Sequence, residues 1–236
     1  MKALILAAGR GTRISRYLSG MPKCTVDIGG ERLIQYTVRL LKAHGIDRIG
    51  IVLGYRQEVI REVLKDEPVE FYYNPFFDVT NSIASAWFAR SFFDGEDDMM
   101  IMNGDVFIDS DLLKLILQEK RSPVMFADES RKETADYKFY YENQILLKYG
   151  KELEGDDITG EYIGIGTFDK DFVPVFVSQM ENMIGHQVHS VWWENVLYEM
   201  CSGREIYVKD VEGLFWAEVD YIEDYERILE YRGVKK

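Results

Sequence analysis

The segment that decides the fold is Ala3-Leu4-Ile5-Leu6-Ala7-Ala8-Gly9-Arg10-Gly11-Thr12-Arg13. Its first six residues are apolar, and such an uninterrupted run predicts a buried strand. Small residues and glycines end the strand, which lets a flat nucleotide base approach the backbone and lets amides bend around phosphate. Arg13 and, ten residues later, Lys23 supply positive charge for a polyphosphate. The glycines alone are also typical of an ordinary strand-to-loop turn, but glycines and basic residues together predict a nucleotide-phosphate site.

The sequence excludes two commoner phosphate-binding motifs. The dinucleotide-binding fingerprint requires a third glycine, and the matching position is Ile14. A P-loop requires Gly-Lys-Ser/Thr at the start of a helix, and the chain contains no such triplet. The residues of this region that we expect to contact a nucleotide are Leu6, Ala7, Ala8, Gly9, Gly11, Thr12, Arg13 and Lys23.

Composition limits the classes of protein to which this chain can belong. With 236 residues and 47% hydrophobic content it can bury one substantial core, so we expect a single domain over residues 1–236. The net charge of −13 opposes nucleic-acid binding, which requires a basic face. Two cysteines suit a reducing compartment, and no segment has the length of a membrane span. We therefore expect a cytoplasmic protein with no membrane insertion.

Strand-like and helix-like segments alternate along the first half of the chain. Ile49–Leu53 and Met99–Asn103 have the apolar runs of buried strands, and segments with helical spacing of apolar residues lie between them. This alternation predicts an α/β fold with a doubly wound, mostly parallel sheet of the Rossmann-like type, whose ligands bind at the carboxyl ends of the strands. Within residues 130–215 the pattern changes to a β-hairpin and helices, which we interpret as a small insertion on this sheet.

Two aspartates follow strand-like segments and are candidates for a metal site. Asp105 comes directly after the strand Met99–Asn103 and Gly104, and Asp220 ends the alternating segment Trp216–Asp220. Either residue alone is more typical of a helix N-cap. As a pair at strand ends they are suited to Mg²⁺, which takes one or two carboxylates and completes its shell with phosphate oxygens and water.

The signature Leu6-Ala7-Ala8-Gly9-x-Gly11-x-Arg13 with Pro22-Lys23 resembles that of the sugar-phosphate nucleotidyltransferase family. In that family an aspartate after glycine and a later aspartate in a Glu-x-Asp context hold the metal, and both patterns are present at Asp105 and Asp220. The resemblance implies that an acceptor phosphate attacks the α-phosphorus of a nucleoside triphosphate and that pyrophosphate leaves. It implies catalytic roles for Arg13, Lys23 and Asp105 and a Mg²⁺ site at Asp105 and Asp220. No general base is required, because the nucleophile is already an anion.

The choice of nucleotide is expected to involve the segment Thr80-Asn81-Ser82-Ile83-Ala84-Ser85. It opens a predicted helix, whose first amides and hydroxyls suit a base edge or a ribose, although each residue alone is equally typical of a plain N-cap. The segment resembles the Asn-Asn-x-x-Ser helix start of bacterial phosphocholine cytidylyltransferases, with Ser82 in place of the second asparagine, and this resemblance favours CTP. The expected nucleotide-binding set is completed by Asn81, Ser82, Ser85 and Gly104.

An acceptor pocket is predicted by aromatic residues beside carboxylates, most of them within the insertion. Trp192-Trp193-Glu194-Asn195 resembles the Tyr-Trp-Asp-Asn run of phosphocholine cytidylyltransferases, and aromatic faces with carboxylates hold ammonium groups by cation–π attraction and charge. The alternative is that Trp193 belongs to the core and Trp192 covers the insertion. In sugar-nucleotide relatives a lysine of this region meets the sugar phosphate, so Lys148 or Lys151 is a candidate for that role. The expected acceptor-binding residues are Lys148, Glu161, Tyr162, Trp192, Trp193, Glu194 and Trp216.

Two classes of function remain open from the sequence. The first is a metal-dependent nucleotidyltransferase that transfers CMP from CTP to a small phosphomonoester or phosphonate resembling phosphocholine; its close variant makes a nucleotide sugar from a sugar 1-phosphate. The second is a non-catalytic, nucleotide-binding regulatory subunit of the same fold. Arg13, Lys23, Asp105 and Asp220 are all present, which favours the enzyme. The expected partners are a nucleoside triphosphate and a phosphorylated acceptor, and a homodimer is left open.

Overall fold

The first apolar segment forms a strand at Lys2–Ala7, as predicted, and every residue of this strand is buried. The computed structural model describes residues 1–11, 14 and 18–234, and the fold is that of these residues. The strands are β1 (Lys2–Ala7), β2 (Ile49–Leu53), β3 (Glu70–Tyr73), β4 (Met99–Asn103), β5 (Val106–Ile108), β6 (Val124–Asp128), β7 (Lys138–Glu142), β8 (Ile145–Gly150), β9 (Gly160–Phe168), β10 (Tyr207–Asp210) and β11 (Trp216–Glu218). The α-helices are α1 (Leu33–Ala43), α2 (Gln57–Val63), α3 (Ser82–Phe88), α4 (Ser110–Gln118), α5 (Val173–Gly185), α6 (Asn195–Tyr198) and α7 (Ile222–Tyr231).

Nine of these strands form one sheet in the order β3-β2-β1-β4-β9-β6-β10-β8-β7. Strand β1 pairs in parallel with β2 and β4, and β2 pairs in parallel with β3. Strand β9 is antiparallel to β4 and β6, β10 is parallel to β6, and β8 is antiparallel to β10 and β7. Within the described chain, β8 and β9 therefore run against the other strands of the sheet. The predicted α/β fold is confirmed: seven of the nine strands run in one direction, although four of the eight neighbouring pairs are antiparallel, so the sheet is mixed.

The two faces of the sheet are covered by separate hydrophobic clusters. Alternate residues of β1 point to opposite faces, so Leu4 belongs to one cluster and Ile5 to the other. Helices α3 and α5 pack on the first face, with Phe176 as a representative, and helices α1 and α4 pack on the second, with Leu112. Burying one such side chain contributes roughly 1.5–3 kcal/mol. Apolar packing thus fixes helices on both faces of the sheet.

The segment of residues 130–215 adds strands β7, β8, β9 and β10 to the same sheet. The hairpin of β7 and β8 turns at Asn143 and Gln144, whose φ angles of 49° and 65° are those of a two-residue turn. The short strands β5 and β6 were not predicted; β5 pairs with β11 in a separate two-stranded sheet. No helix among the described residues has the length and apolar character that crossing a membrane requires.

Candidate active site

A cavity of about 270 Å³ opens at the carboxyl ends of β1 and β4. We call it the first cavity. It collects residues from the β1 end, the helix start of α3 and the β4 end, three segments far apart in sequence. Thr12 and Arg13 lie outside the described residues. All the other residues that we expected to contact a nucleotide line this cavity: Leu6, Ala7, Ala8, Gly9, Gly11, Lys23, Asn81, Ser82, Ser85 and Gly104.

The floor of the first cavity depends on a close approach between three backbone segments. The Gly104 amide donates to the Leu6 carbonyl at 2.9 Å, and the Tyr55 amide donates to the Ala8 carbonyl at 3.0 Å. A Cβ on Gly54 would lie 2.5 Å from the Ala8 carbonyl oxygen and 2.7 Å from the Cβ of Phe77. Glycine at position 54 therefore lets the β2 end pack directly against the β1 end.

Gly54→Ala is expected to lower the free energy of unfolding by about 1–3 kcal/mol, because the added methyl group meets backbone rather than a movable side chain. Gly203→Ala is the matched control, since a Cβ there has nothing within 4 Å. Urea unfolding of both variants measures the difference. Equal midpoints for Gly54→Ala and wild type would contradict the close packing of these two strand ends.

Tyr55 touches both ends of the loop that joins β1 to Lys23. Its amide is bound to Ala8, and the Arg10 guanidinium lies 5.5 Å from the centre of its ring. Its hydroxyl donates to the Gly20 carbonyl at 3.1 Å, close to the far end of the loop. Tyr55 was not identified from the sequence, because a contact with two ends of a distant loop leaves no local pattern.

Three carboxylates form a cluster beside the first cavity. Asp105, Glu218 and Asp220 each place a carboxylate oxygen within 4.8 Å of the other two. The Lys23 ammonium donates to Asp220 and lies 3.4 Å from Oδ2 of Asp105. Burial, and the other carboxylates, raise the pKa of Asp105 and of Glu218. Burial alone would lower the pKa of Lys23, but the charges of Asp105 and Asp220 outweigh it and raise this pKa, so Lys23 stays cationic.

The pairing of β5 with β11 brings these carboxylates together. Glu218 is the register partner of Val106, and the Val219 amide donates to the Asp105 carbonyl at 3.0 Å. Asp105 and Asp220 are thus neighbours, as the two strand ends suggested. Glu218 was not predicted, although the Glu-x-Asp spacing placed it on the same side of an extended segment as Asp220. Three carboxylates beside the first cavity form an oxygen-rich donor set that suits a divalent cation.

The start of helix α3 serves both as an N-cap and as a wall of the first cavity. The Asn81 side chain accepts from the Ser82 amide at 2.8 Å, as in the plain N-cap interpretation. Ser82 Oγ accepts from the Trp193 amide at 2.9 Å, and Ser85 Oγ accepts from the buried Asn74 side chain at 3.1 Å. Hydrogen bonds therefore hold the helix start in place from two sides.

A second cavity, of about 230 Å³, adjoins the first and shares Asn103, Trp192 and Glu218 with it. We call it the second cavity. The acidic cluster lies at the junction, because Asp105 lines the first cavity and Asp220 the second. The other residues that line the second cavity are Asp136, Tyr137, Lys151, Tyr162, Gly164, Glu194 and Tyr198.

Aromatic rings form much of the second cavity. The Tyr137 ring lies 5.3 Å from Trp192, 6.1 Å from Tyr198 and 6.3 Å from Tyr162, between ring centroids. Glu194 is buried among them, and burial raises its pKa to about 7. The second cavity is lined by three of the residues that we expected in one pocket, Tyr162, Trp192 and Glu194. Tyr137 and Tyr198 were missed, since they come from a loop and a helix that only the fold brings together.

Trp193 does not line the second cavity, and the prediction that it binds the acceptor was wrong. It is 0% exposed, whereas Trp192 is 42% exposed. Its indole Nε1 donates to Oδ1 of Asn103 at 3.2 Å, and its ring fills the space where a Cβ on Gly166 would stand. The alternative interpretation, with Trp193 in the core, is correct, because Gly166 in β9 leaves room for the ring.

Three further acceptor-binding predictions were wrong, because these side chains line neither cavity. Glu161 accepts from Arg131 at 2.7 Å and from the Asp136 amide at 2.8 Å. Trp216 is buried and donates from Nε1 to Asp128 at 2.8 Å.

The third, Lys148, pairs with Asp157 at 2.7 Å at the surface. Lys151, the other candidate lysine, does line the second cavity, where it pairs with Asp136 at 2.6 Å.

Comparison with known proteins places this geometry in a family. The chain is 24% identical over 98% of its length to the CTP:phosphoglutamine cytidylyltransferase of Campylobacter jejuni, and 25% identical over 98% to the choline-phosphate cytidylyltransferase of Streptococcus pneumoniae. These alignments cover 100% and 97% of the two relatives. The solved CTP:phosphocholine cytidylyltransferase of Streptococcus pneumoniae has the same fold, with a TM-score of 0.80, 22% identity and coverage of 98% of each chain.

These relatives confirm the resemblance to nucleotidyltransferases, and to cytidylyltransferases in particular, that the signature and the helix start indicated. A family model for the MobA-like NTP transferase domain matches residues 3–191, which is most of the chain. The chain belongs to the family of proteins with a MobA-like NTP transferase domain.

Proposed function

We propose that this nucleotidyltransferase transfers CMP from CTP to a small phosphorylated acceptor with an amine head group and releases pyrophosphate. The observation that carries the proposal is the meeting of two cavities at one cluster of carboxylates and a lysine. One cavity has the glycine-rich, small-residue lining that suits a nucleotide, and the other has an aromatic, acidic lining that suits a cation. The two relatives, cytidylyltransferases of phosphoglutamine and of choline-phosphate, support a nitrogen-containing acceptor.

The first cavity is proposed to hold the nucleotide. Gly9 and Gly11 follow β1 without side chains that would fill the space above the strand end, so backbone amides can face phosphate oxygens. Lys23 lies beside this space and carries a positive charge that burial does not remove. Asn81 and Ser82 are proposed to face the base or the ribose from the start of α3.

The acidic cluster is proposed to hold Mg²⁺ through Asp105 and Asp220, with Glu218 beside them. The donor set fits this ion, because Mg²⁺ combines one or two carboxylates with phosphate oxygens and water. When bound, the ion would neutralise phosphate charge and help to orient the triphosphate. Lys23 now pairs with two of these carboxylates, so it lies where the phosphates and the cation would meet. The acceptor phosphate needs no base, and the site has only to align it and compensate charge.

The second cavity is proposed to bind the head group of the acceptor. Tyr137 and Trp192 offer aromatic faces, and Glu194 offers a buried carboxylate. A cation placed over aromatic rings gains about 0.5–2 kcal/mol per contact, more when water is excluded. Residues 130–215, which supply most of this cavity, are proposed to be an acceptor-binding insertion within a single domain of residues 1–236.

A pyrophosphate-release screen tests the proposed function. Purified protein with Mg²⁺ is given each of CTP, UTP, dTTP and GTP against phosphocholine, phosphoethanolamine, aminoethylphosphonate, inositol phosphate and hexose 1-phosphates. Release is expected with CTP and the nitrogen-containing acceptors. Release only with a sugar phosphate would contradict the amine part of the proposal, and no release with any pair would favour a non-catalytic subunit.

Trp192→Ala is expected to raise the KM for the acceptor about tenfold, because a partly exposed aromatic face is removed from the second cavity. The KM for CTP should change less. Lys148→Ala is the control, because Lys148 pairs with Asp157 away from both cavities and its loss should leave both constants unchanged. An acceptor KM that does not move in Trp192→Ala would exclude this residue from the head-group site.

A further inference from the structure

Residues 189–193 belong to the connection between α5 and α6 and lie against the start of α3. They form neither a helix nor a strand, and two backbone hydrogen bonds hold them in place. The Asn81 amide donates to the His189 carbonyl at 2.9 Å. The Ile83 amide donates to the Val191 carbonyl at 3.3 Å. This connecting segment is therefore fixed to the same helix start that lines the first cavity.

A side chain of α3 supplies a third hydrogen bond to the connecting segment. Ser82 Oγ accepts from the Trp193 amide at 2.9 Å, and the Trp193 indole donates to Oδ1 of Asn103 at 3.2 Å. Trp193 is thus held at its backbone by α3 and at its ring by the end of β4. Its two neighbours in the chain, Trp192 and Glu194, line the second cavity, and Trp192 lines the first cavity as well. The position of both neighbours depends on how Trp193 is anchored.

We infer that Ser82 is a positioning residue for the acceptor, in addition to its place in the lining of the first cavity. Its hydroxyl fixes the Trp193 amide and, through this amide, the backbone that carries Trp192 into the wall of the second cavity. This inference rests on the proposed function and adds to it a residue that acts on one cavity from the other.

The hydrogen bonds around Ser82 explain why its hydroxyl has this role. The Ser82 amide is bound by Oδ1 of Asn81, and the Trp192 amide is bound by Oδ1 of Asn195 at 3.1 Å, so each of these amides has its own partner. A hydroxyl that accepts from an amide retains a proton to donate. Ser82 can therefore bond to the wall of the second cavity and to a ligand in the first cavity at the same time. Without the hydroxyl, the Trp193 amide loses the partner that holds the segment in register.

Ser82→Ala is expected to raise the KM for the acceptor about fivefold, the effect of losing one hydrogen bond, and to raise the KM for CTP less. The acceptor is the one that is turned over fastest in the pyrophosphate-release screen. Ser82→Thr keeps a hydroxyl and should restore the acceptor KM. Ser178→Ala makes the same chemical change at an exposed position of α5 and should alter neither constant.

Two results of these kinetics would count against different claims. An acceptor KM that rises no more than the CTP KM in Ser82→Ala, or a Ser82→Thr variant as impaired as Ser82→Ala, would overturn the inference and leave the proposed function intact. Absence of turnover by the wild-type protein with every acceptor would contradict the proposed function itself.

Fluorine NMR of protein labelled with 5-fluorotryptophan tests the positioning role without any substrate. The chain has four tryptophans, and Trp192→Phe and Trp193→Phe assign two of the signals. Ser82→Ala should shift the signals of Trp192 and Trp193, and Ser82→Thr should return them. The signal of Trp216 should stay in place, because this residue is buried and bonded to Asp128. Unchanged signals of Trp192 and Trp193 in Ser82→Ala would overturn the inference.

Discussion

Asp105→Asn and Asp220→Asn are expected to lower kcat by roughly 10³-fold, with CTP binding affected less. Both carboxylates belong to the acidic cluster, in which one oxygen atom of each of the three carboxylates lies within 4.8 Å of the other two. The Lys23 ammonium contacts both of them. Replacing one oxygen by an amide nitrogen would remove a proposed ligand for Mg²⁺ and part of the negative charge that would hold the ion beside the triphosphate. Steady-state kinetics at several Mg²⁺ concentrations measure the effect.

The same variants should fold as stably as wild type, or more so, in the absence of divalent cations. Three carboxylates around one lysine repel one another, and removing one relieves that repulsion. Mg²⁺ should raise the unfolding temperature of wild type and not that of Asp105→Asn. Asp111→Asn, which alters a surface pair with Lys114, is the control and should retain both responses. Near-normal turnover of both cluster variants at saturating Mg²⁺ would show that the metal site is wrongly assigned.

Lys23→Ala is expected to reduce kcat by roughly 10²–10³-fold and to change the KM for CTP much less. The Lys23 ammonium is held beside Asp105 and Asp220, at the junction of the two cavities, so its charge matters most as negative charge moves onto the leaving pyrophosphate. Lys114→Ala removes a surface lysine and should leave both constants unchanged. An unchanged kcat with a raised KM would make Lys23 a simple binding residue.

The lining of the first cavity, which is proposed to hold the nucleotide, could be predicted from the sequence because its determinants are local. The apolar run of β1 fixes a strand, and the small residues after it can only lie at the strand's carboxyl end. Asp105 follows β4 by the same logic. The sequence did not identify Gly54, Tyr55 and Asn103. These residues support the site through close backbone approaches and hydrogen bonds between segments that are distant in sequence.

The acceptor side could be predicted only in part, because neighbouring residues of one motif point in different directions. Trp192 and Trp193 are adjacent, and Gly166 of β9 decides which one enters the core. From the sequence, Glu161 was expected to be a carboxylate that lines the acceptor pocket. In the structure it forms an ion pair with Arg131, which compensates its negative charge.

Strand β6 was not recognised, since its apolar run from Val124 to Ala127 is short and directly follows Pro123. These outcomes depend on tertiary neighbours, which a single sequence does not display.

The most direct test of the account follows the α-phosphorus of CTP. The protein is incubated with Mg²⁺, phosphoethanolamine and CTP labelled at the α-phosphate, and the products are separated and identified by mass. We expect the label in a cytidine diphosphate ester of the amino alcohol, formed in equal amount with unlabelled pyrophosphate. CTP that binds but remains intact with phosphoethanolamine, phosphocholine, aminoethylphosphonate and hexose 1-phosphates would contradict the account.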